Sequence, residues 1–146
     1  MVQEQAEVQL ATDLRMVITR LIKKLRNKSV TGEKLSLTER STIALLDLHK
    51  ELSPSDIAAM EKITTQSMSQ ILNHLLELGY IYRRISKTDK RKAIISLSAA
   101  GRDTLYKVRN ERDEWLKTAL KETCSDKDLD LLRRALIPLT RLIDFD

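Results

Sequence analysis

Between Thr64 and Gly101 the chain passes from a helical segment with an uncharged polar face straight into a strongly cationic hairpin. Met68, Ile71, Leu72, Leu75 and Leu76 recur at steps of three and four, which marks an amphipathic helix. At about 100° per residue, the opposite side carries Gln66, Gln70, Asn73 and Glu77. Ser67, Ser69 and His74 lie on its flanks. Gly79 closes the helix as a left-handed stop. The β-branched and aromatic runs 80–85 and 93–97 read as the strands of a hairpin, with a long polar tip between them.

That tip is where the charge of the chain is concentrated. Arg83, Arg84, Lys87, Lys90, Arg91 and Lys92 face one acid, Asp89, so the segment carries six minus one, or +5, which equals the net charge of the whole chain. A basic excess alone argues only modestly for nucleic acid; its clustering on one loop argues more. Aromatic residues are 3% of the sequence, too few to build the stacking platforms that hold single strands. Double-stranded nucleic acid is the partner class that fits.

The remainder of the sequence frames this segment with helices. With 42% hydrophobic residues, 3 Gly and 2 Pro in 146 residues, the chain reads as one ordered, mainly α-helical domain. Leu10, Leu14, Val17, Ile18, Leu21, Ile22 and Leu25 form one apolar stripe and predict a helix over 5–27. Arg20, Lys23, Lys24, Arg26 and Lys28 at its end complement the helix dipole. A polar break covers 28–34, after which Thr38 is expected to cap a second helix. Ser53-Pro54-Ser55-Asp56 starts a third, with a Ser cap and Pro in the first turn. The fourth begins at Thr64, so two short helices meet at a tight junction, the sequence form of a helix-turn-helix. Ser98 caps a long helix over 99–121. A last helix starts near Ser125, with Pro138 expected to kink it or to start a new turn.

Side-chain amides bond an adenine edge at two points, and Ser or Thr hydroxyls bond either kind of base edge. The candidate base readers are therefore Thr64, Thr65, Gln66, Ser67, Ser69, Gln70 and Asn73. Standing alone, such a face would read as a plain solvated surface; the tight helix before it and the basic hairpin after it turn the reading toward DNA. Arg83, Lys87, Lys90, Arg91 and Lys92 are the candidate phosphate and minor-groove contacts. Asp89 would be repelled by DNA, so it is expected to pair with Arg83 or Arg91 and fix the loop.

The residues LSLTERSTIALL, SPSDIAAMEKITTQSMSQILNHLLELGYIYRR, the DKR of 89–91 and ISLSAAGRDTL resemble the MarR (multiple antibiotic resistance regulator) family of winged helix-turn-helix transcription factors. With the flanking helices the resemblance spans nearly the whole chain; Ser98 where Thr is commoner and Glu61 where Leu is common are mild departures. The resemblance implies a DNA-binding lobe at 35–98, and dimerisation helices at 1–30 and 99–146 that intertwine in a homodimer. It implies a repressor on a pseudo-palindromic duplex, with Gln66, Ser69, Gln70 and Asn73 reading bases, Arg91 as the wing arginine and Asp89 ordering the wing through Arg83. It also implies release by a small aromatic or phenolic effector, at a pocket the sequence does not locate.

Other classes find little support. His49 and His74 lie on different helices without Cys or carboxylates at metal-ligand spacing, and no phosphate loop or nucleophile elbow is present. No catalysis and no cofactor are expected. Cys124 is the single cysteine, so no internal disulfide forms, and a redox role has weak support. No membrane segment or signal peptide is read from the sequence, which makes the cytoplasm the expected compartment. The rival reading is a winged-helix module that binds protein, its basic hairpin serving only solubility.

Overall fold

The structure, a computed structural model, describes residues 1–145. Seven helices and three short strands follow in the order α1 (Val2–Arg26), α2 (Val30–Glu33), α3 (Leu37–His49), β1 (Glu51–Leu52), α4 (Pro54–Glu61), α5 (Thr65–Glu77), β2 (Ile81–Ile85), β3 (Ala93–Leu97), α6 (Ala99–Thr123) and α7 (Asp126–Ile143). The fold is the expected one, mainly α with a small β wing.

Local chemistry sets most boundaries. In α3 the cap is Ser36, not Thr38: Ser36 Oγ accepts from the Glu39 N–H at 3.1 Å, and the Glu39 carboxylate accepts from the Ser36 N–H at 2.8 Å. This reciprocal pair satisfies two N–H groups at once, so Thr38 falls inside the first turn. Ser53 caps α4 with Pro54 in its first turn, and Thr64 caps α5. The polar break also contains structure, since Ser29 caps the single turn of α2. The α7 helix continues through Pro138 as one element rather than restarting there.

The hairpin gains a strand that the sequence reading did not include. The sheet order is β1-β3-β2, antiparallel throughout, with Leu52 opposite Ile95 and Arg83 opposite the same residue from the other side. Ile95 is thereby the centre of the sheet and is completely buried.

One core lies beneath these elements. Ile43 and Leu46 of α3, Ile57 of α4, Met68, Leu72 and Leu75 of α5, and Ile81, Ile95 and Leu97 of the sheet pack with Leu105 of α6. By contrast, α1 and α7 contain no buried residue. Much of their apolar stripes faces outward, with Leu10 at 65%, Leu136 at 62% and Leu142 at 59% exposure. No helix is long and apolar enough among the described residues to cross a membrane.

Candidate nucleic-acid interface

The α5 helix is anchored by Met68, Leu72 and Leu75, so its orientation on the lobe is fixed and its far side is committed to solvent. Thr64, Thr65, Gln66, Ser67, Ser69, Gln70 and Asn73 are all exposed. They are not equally free. Thr64 Oγ1 accepts from the Ser67 N–H at 3.1 Å and donates to Ser67 Oγ at 3.0 Å, which ties both to the cap. Ser69 Oγ donates back to the Thr65 carbonyl at 3.0 Å. Among the described residues, the side chains of Gln66, Gln70 and Asn73 make no hydrogen bond within the chain, so their amides are open to an external edge.

A polar contact beneath the helix escaped the sequence reading. His74 Nδ1 meets Glu39 Oε1, joining α5 to the capping box of α3. Glu39 is only 7% exposed. Burial works to raise its pKa, but the hydrogen bonds from His74 and Ser36 and the positive imidazole outweigh it and lower the value. The same hydrogen bond and charge raise the pKa of His74. Sequence spacing gives no hint of this pair; the one available signal was the Ser-x-x-Glu pattern at 36–39.

At the hairpin tip the backbone closes on itself. Ser86 N–H donates to the Lys92 carbonyl at 2.8 Å, and Lys92 N–H to the Asp89 carbonyl at 3.0 Å. Ser86 Oγ accepts from the N–H groups of Thr88 and Asp89, each at 3.3 Å. The expected ion pair of Asp89 with Arg83 or Arg91 does not form. Instead Asp89 Oδ1 accepts from the backbone N–H of Arg91 at 3.0 Å, so the carboxylate is used by the turn and both guanidiniums stay free. Arg84 is the exception among the wing arginines, pairing with Glu51 of β1 at 2.8 Å. Arg83, Lys87, Lys90, Arg91 and Lys92 are exposed and form no ion pair among the described residues.

The junction that follows holds helix, wing and α6 together. Gly79, at φ 76°, ends the α5 turn in the left-handed region. Ser98 N–H donates to the Tyr80 carbonyl at 3.0 Å, Ser98 Oγ donates to the Gly79 carbonyl, and the same oxygen accepts from the Gly101 N–H at 3.0 Å. The start of α6 is thus fastened to the point where α5 turns into the wing.

Comparison with known proteins agrees with this architecture. Residues 34–92 match the profile described as MarR family. An uncharacterized HTH-type transcriptional regulator of Mycobacterium leprae (strain TN) is 30% identical over 139 residues, covering 95% of this chain and 96% of that protein. A crystal structure of a transcriptional regulator protein from Pseudomonas aeruginosa PA01 superposes with a TM-score of 0.84 at 29% identity, covering 96% of this chain and 98% of the other. A mutant of MepR from S. aureus, bound to an oligodeoxyribonucleotide, shares the fold at 21% identity with a TM-score of 0.70, covering 91% of this chain and 96% of the other. An open amide face, a cationic wing and these likenesses lead to one conclusion: the chain belongs to the MarR family and is a transcriptional regulator with a DNA-binding winged-helix fold.

Proposed function

We propose that the protein is a homodimeric repressor that binds a pseudo-palindromic duplex and excludes the transcription machinery from it. The observation that carries this reading is the pairing of three unengaged amides, Gln66, Gln70 and Asn73, with a wing in which Arg83, Lys87, Lys90, Arg91 and Lys92 form no ion pair among the described residues. Residues 35–98 form the reading lobe: α5 enters the major groove and Arg91 the adjacent minor groove, while Arg83, Lys87, Lys90 and Lys92 hold phosphates. Residues 1–30 and 99–146 form the dimer. Support for the dimer comes from α1 and α7, whose apolar stripes contain no buried residue within one chain. Bound DNA in the MepR structure supports the groove assignment by analogy of fold. A ligand that favours a spacing of the two α5 helices unsuited to DNA would release the complex.

Selection of bound duplexes from a random pool, at two salt concentrations, tests this reading. An inverted repeat with half-sites about one helical turn apart, lost as salt rises, is the expected result. Absence of any enriched sequence at either salt would overturn it in favour of a protein-binding winged helix.

A further inference from the structure

The apolar anchors of α5 fix its depth against the core more firmly than its roll. Met68, Leu72 and Leu75 are each 2% exposed or less, but apolar burial has no preferred direction. Gln66, Gln70 and Asn73 stand on the far side of the helix, where any rotation about its axis is magnified. At a radius of about 5–6 Å, a roll of about 10° moves a side-chain amide by about 1 Å. A displacement of that size carries an N–H···O contact out of hydrogen-bond range.

A polar contact supplies the missing direction. His74 follows Asn73 and lies one turn on from Gln70, and its Nδ1 meets Glu39 Oε1 of α3. An ionised carboxylate only accepts, so the imidazole donates. Glu39 is not free to follow a moving helix. It is 7% exposed, its Oε2 accepts from the Ser36 N–H at 2.8 Å, and its own N–H donates to Ser36 Oγ at 3.1 Å. The flank of α5 is thereby tied to a fixed point on another element. The bond to Glu39 and then its charge raise the pKa of His74; burial opposes them, and Glu77 on the same helix adds a smaller rise. A protonated ring donates from both nitrogens and attracts the carboxylate. A neutral ring has one N–H for two nitrogens and no net charge, so its hold is weaker.

We propose that His74 is a positioning residue for base reading: protonated and seated on Glu39, it fixes the roll of α5, and the protein discriminates its preferred duplex from other DNA less well once the imidazole is neutral. It acts through Gln70 and Asn73 rather than by touching the duplex. The cations of the wing hold phosphates whatever the roll of α5, so affinity for DNA of arbitrary sequence does not follow the same proton. The inference rests on the proposed reading of α5 as the major-groove helix.

Fluorescence anisotropy with the full chain and two labelled duplexes, one enriched from a random pool at about pH 6 and one of scrambled sequence, tests this across about pH 6–8.5, where Lys and Arg keep their charge. At constant ionic strength, the ratio of the two affinities should fall by about threefold per subunit, or about tenfold for a dimer, from the acid to the alkaline end. Affinity for the scrambled duplex should stay nearly constant. His74→Gln should give a low ratio that is flat with pH. Glu39→Gln, which keeps the cap of α3, should do the same with the imidazole still present. His49→Gln, which alters the other histidine of the chain, should keep the parent profile. Circular dichroism checks that each variant is folded. A parent ratio that does not change with pH, or a profile that survives in His74→Gln, would overturn the assignment. So would equal weakening of both duplexes in His74→Gln, the mark of a direct phosphate contact. Equal affinity of the parent for both duplexes at every pH would refute the operator reading and this inference with it; a ratio that is present but flat refutes this inference alone.

Discussion

Glu39 and His74, 35 residues apart in sequence, join the cap of α3 to the underside of α5. The contact couples the helix that carries the candidate base readers to a buried carboxylate, so its protonation affects how firmly that helix is seated. His74 is raised above its ordinary 6.5, first by the hydrogen bond to Glu39 and then by charge. Its contribution to stability is complete below 6.5 and is lost as pH rises through the raised value. Glu39 is held below its ordinary 4.5, so its contribution is complete above 4.5 and is lost as pH falls through the lowered value. Melting temperature should therefore be flat between these limits and fall on the alkaline side. In His74→Gln the alkaline fall should vanish; a variant that keeps it places the titration elsewhere.

Gly101 has no room for a side chain. A Cβ there would lie 2.0 Å from the Tyr80 carbonyl oxygen, which is backbone and held by Ser98. Gly101→Ala must push α6 off the end of the wing, and overpacking of this kind costs about 1–3 kcal/mol. Urea unfolding should show a lower midpoint, by that energy divided by the m value. An unchanged midpoint would mean that the α6 start yields freely.

Gln70 lies at the centre of the open amide row on α5. Gln70→Ala should relax the preference at one or two positions of the selected site, at a cost of about 1–3 kcal/mol for the preferred base. Selection with the variant reads this directly, and an unaltered preference at every position would remove Gln70 from the readers.

Arg91 donates its backbone N–H to Asp89 while its guanidinium stays unpaired. Arg91→Ala therefore leaves the turn intact and removes one cation from each subunit. Affinity should fall for all sequences alike, and, with one Arg91 on each subunit of the dimer, the slope of log affinity against log salt should shrink by about 2. Equal slopes for the two proteins would argue that the wing does not touch the duplex.

Leu136 of α7 is 62% exposed in the single chain. Leu136→Glu puts a charge into the apolar stripe that we assign to the dimer, and sedimentation should shift toward monomer. A variant that sediments like the parent protein would move the dimer contact off this face.

Much of this arrangement was legible because it is local. Caps at Ser53, Thr64 and Ser98, the stop at Gly79 and the apolar steps of α5 each follow from a few adjacent residues. What escaped depends on distant partners. The two residues of β1 carry no strand signal of their own and are ordered by pairing with β3. Arg40 and Arg112 look like ordinary surface arginines in sequence, and only the meeting of α3 with α6 buries their donors. Asp89 had a plausible side-chain partner in Arg83, yet a nearer backbone N–H took its oxygen. Thr38 was misread although Ser36 and Glu39 had the spacing of a reciprocal cap.

The sheet order leaves the outer side of β2 without a neighbouring strand. An open edge of this kind is a template for pairing with another molecule, and here it also bears the exposed apolar side chains of Tyr82 and Ile85. Arg83 and the lysines of the tip flank that edge, so two copies approaching edge to edge repel one another. The cations assigned to the duplex thus also act as gatekeepers against self-association. Removing several of them to weaken DNA binding would have a second consequence, a protein that precipitates before its affinity can be measured.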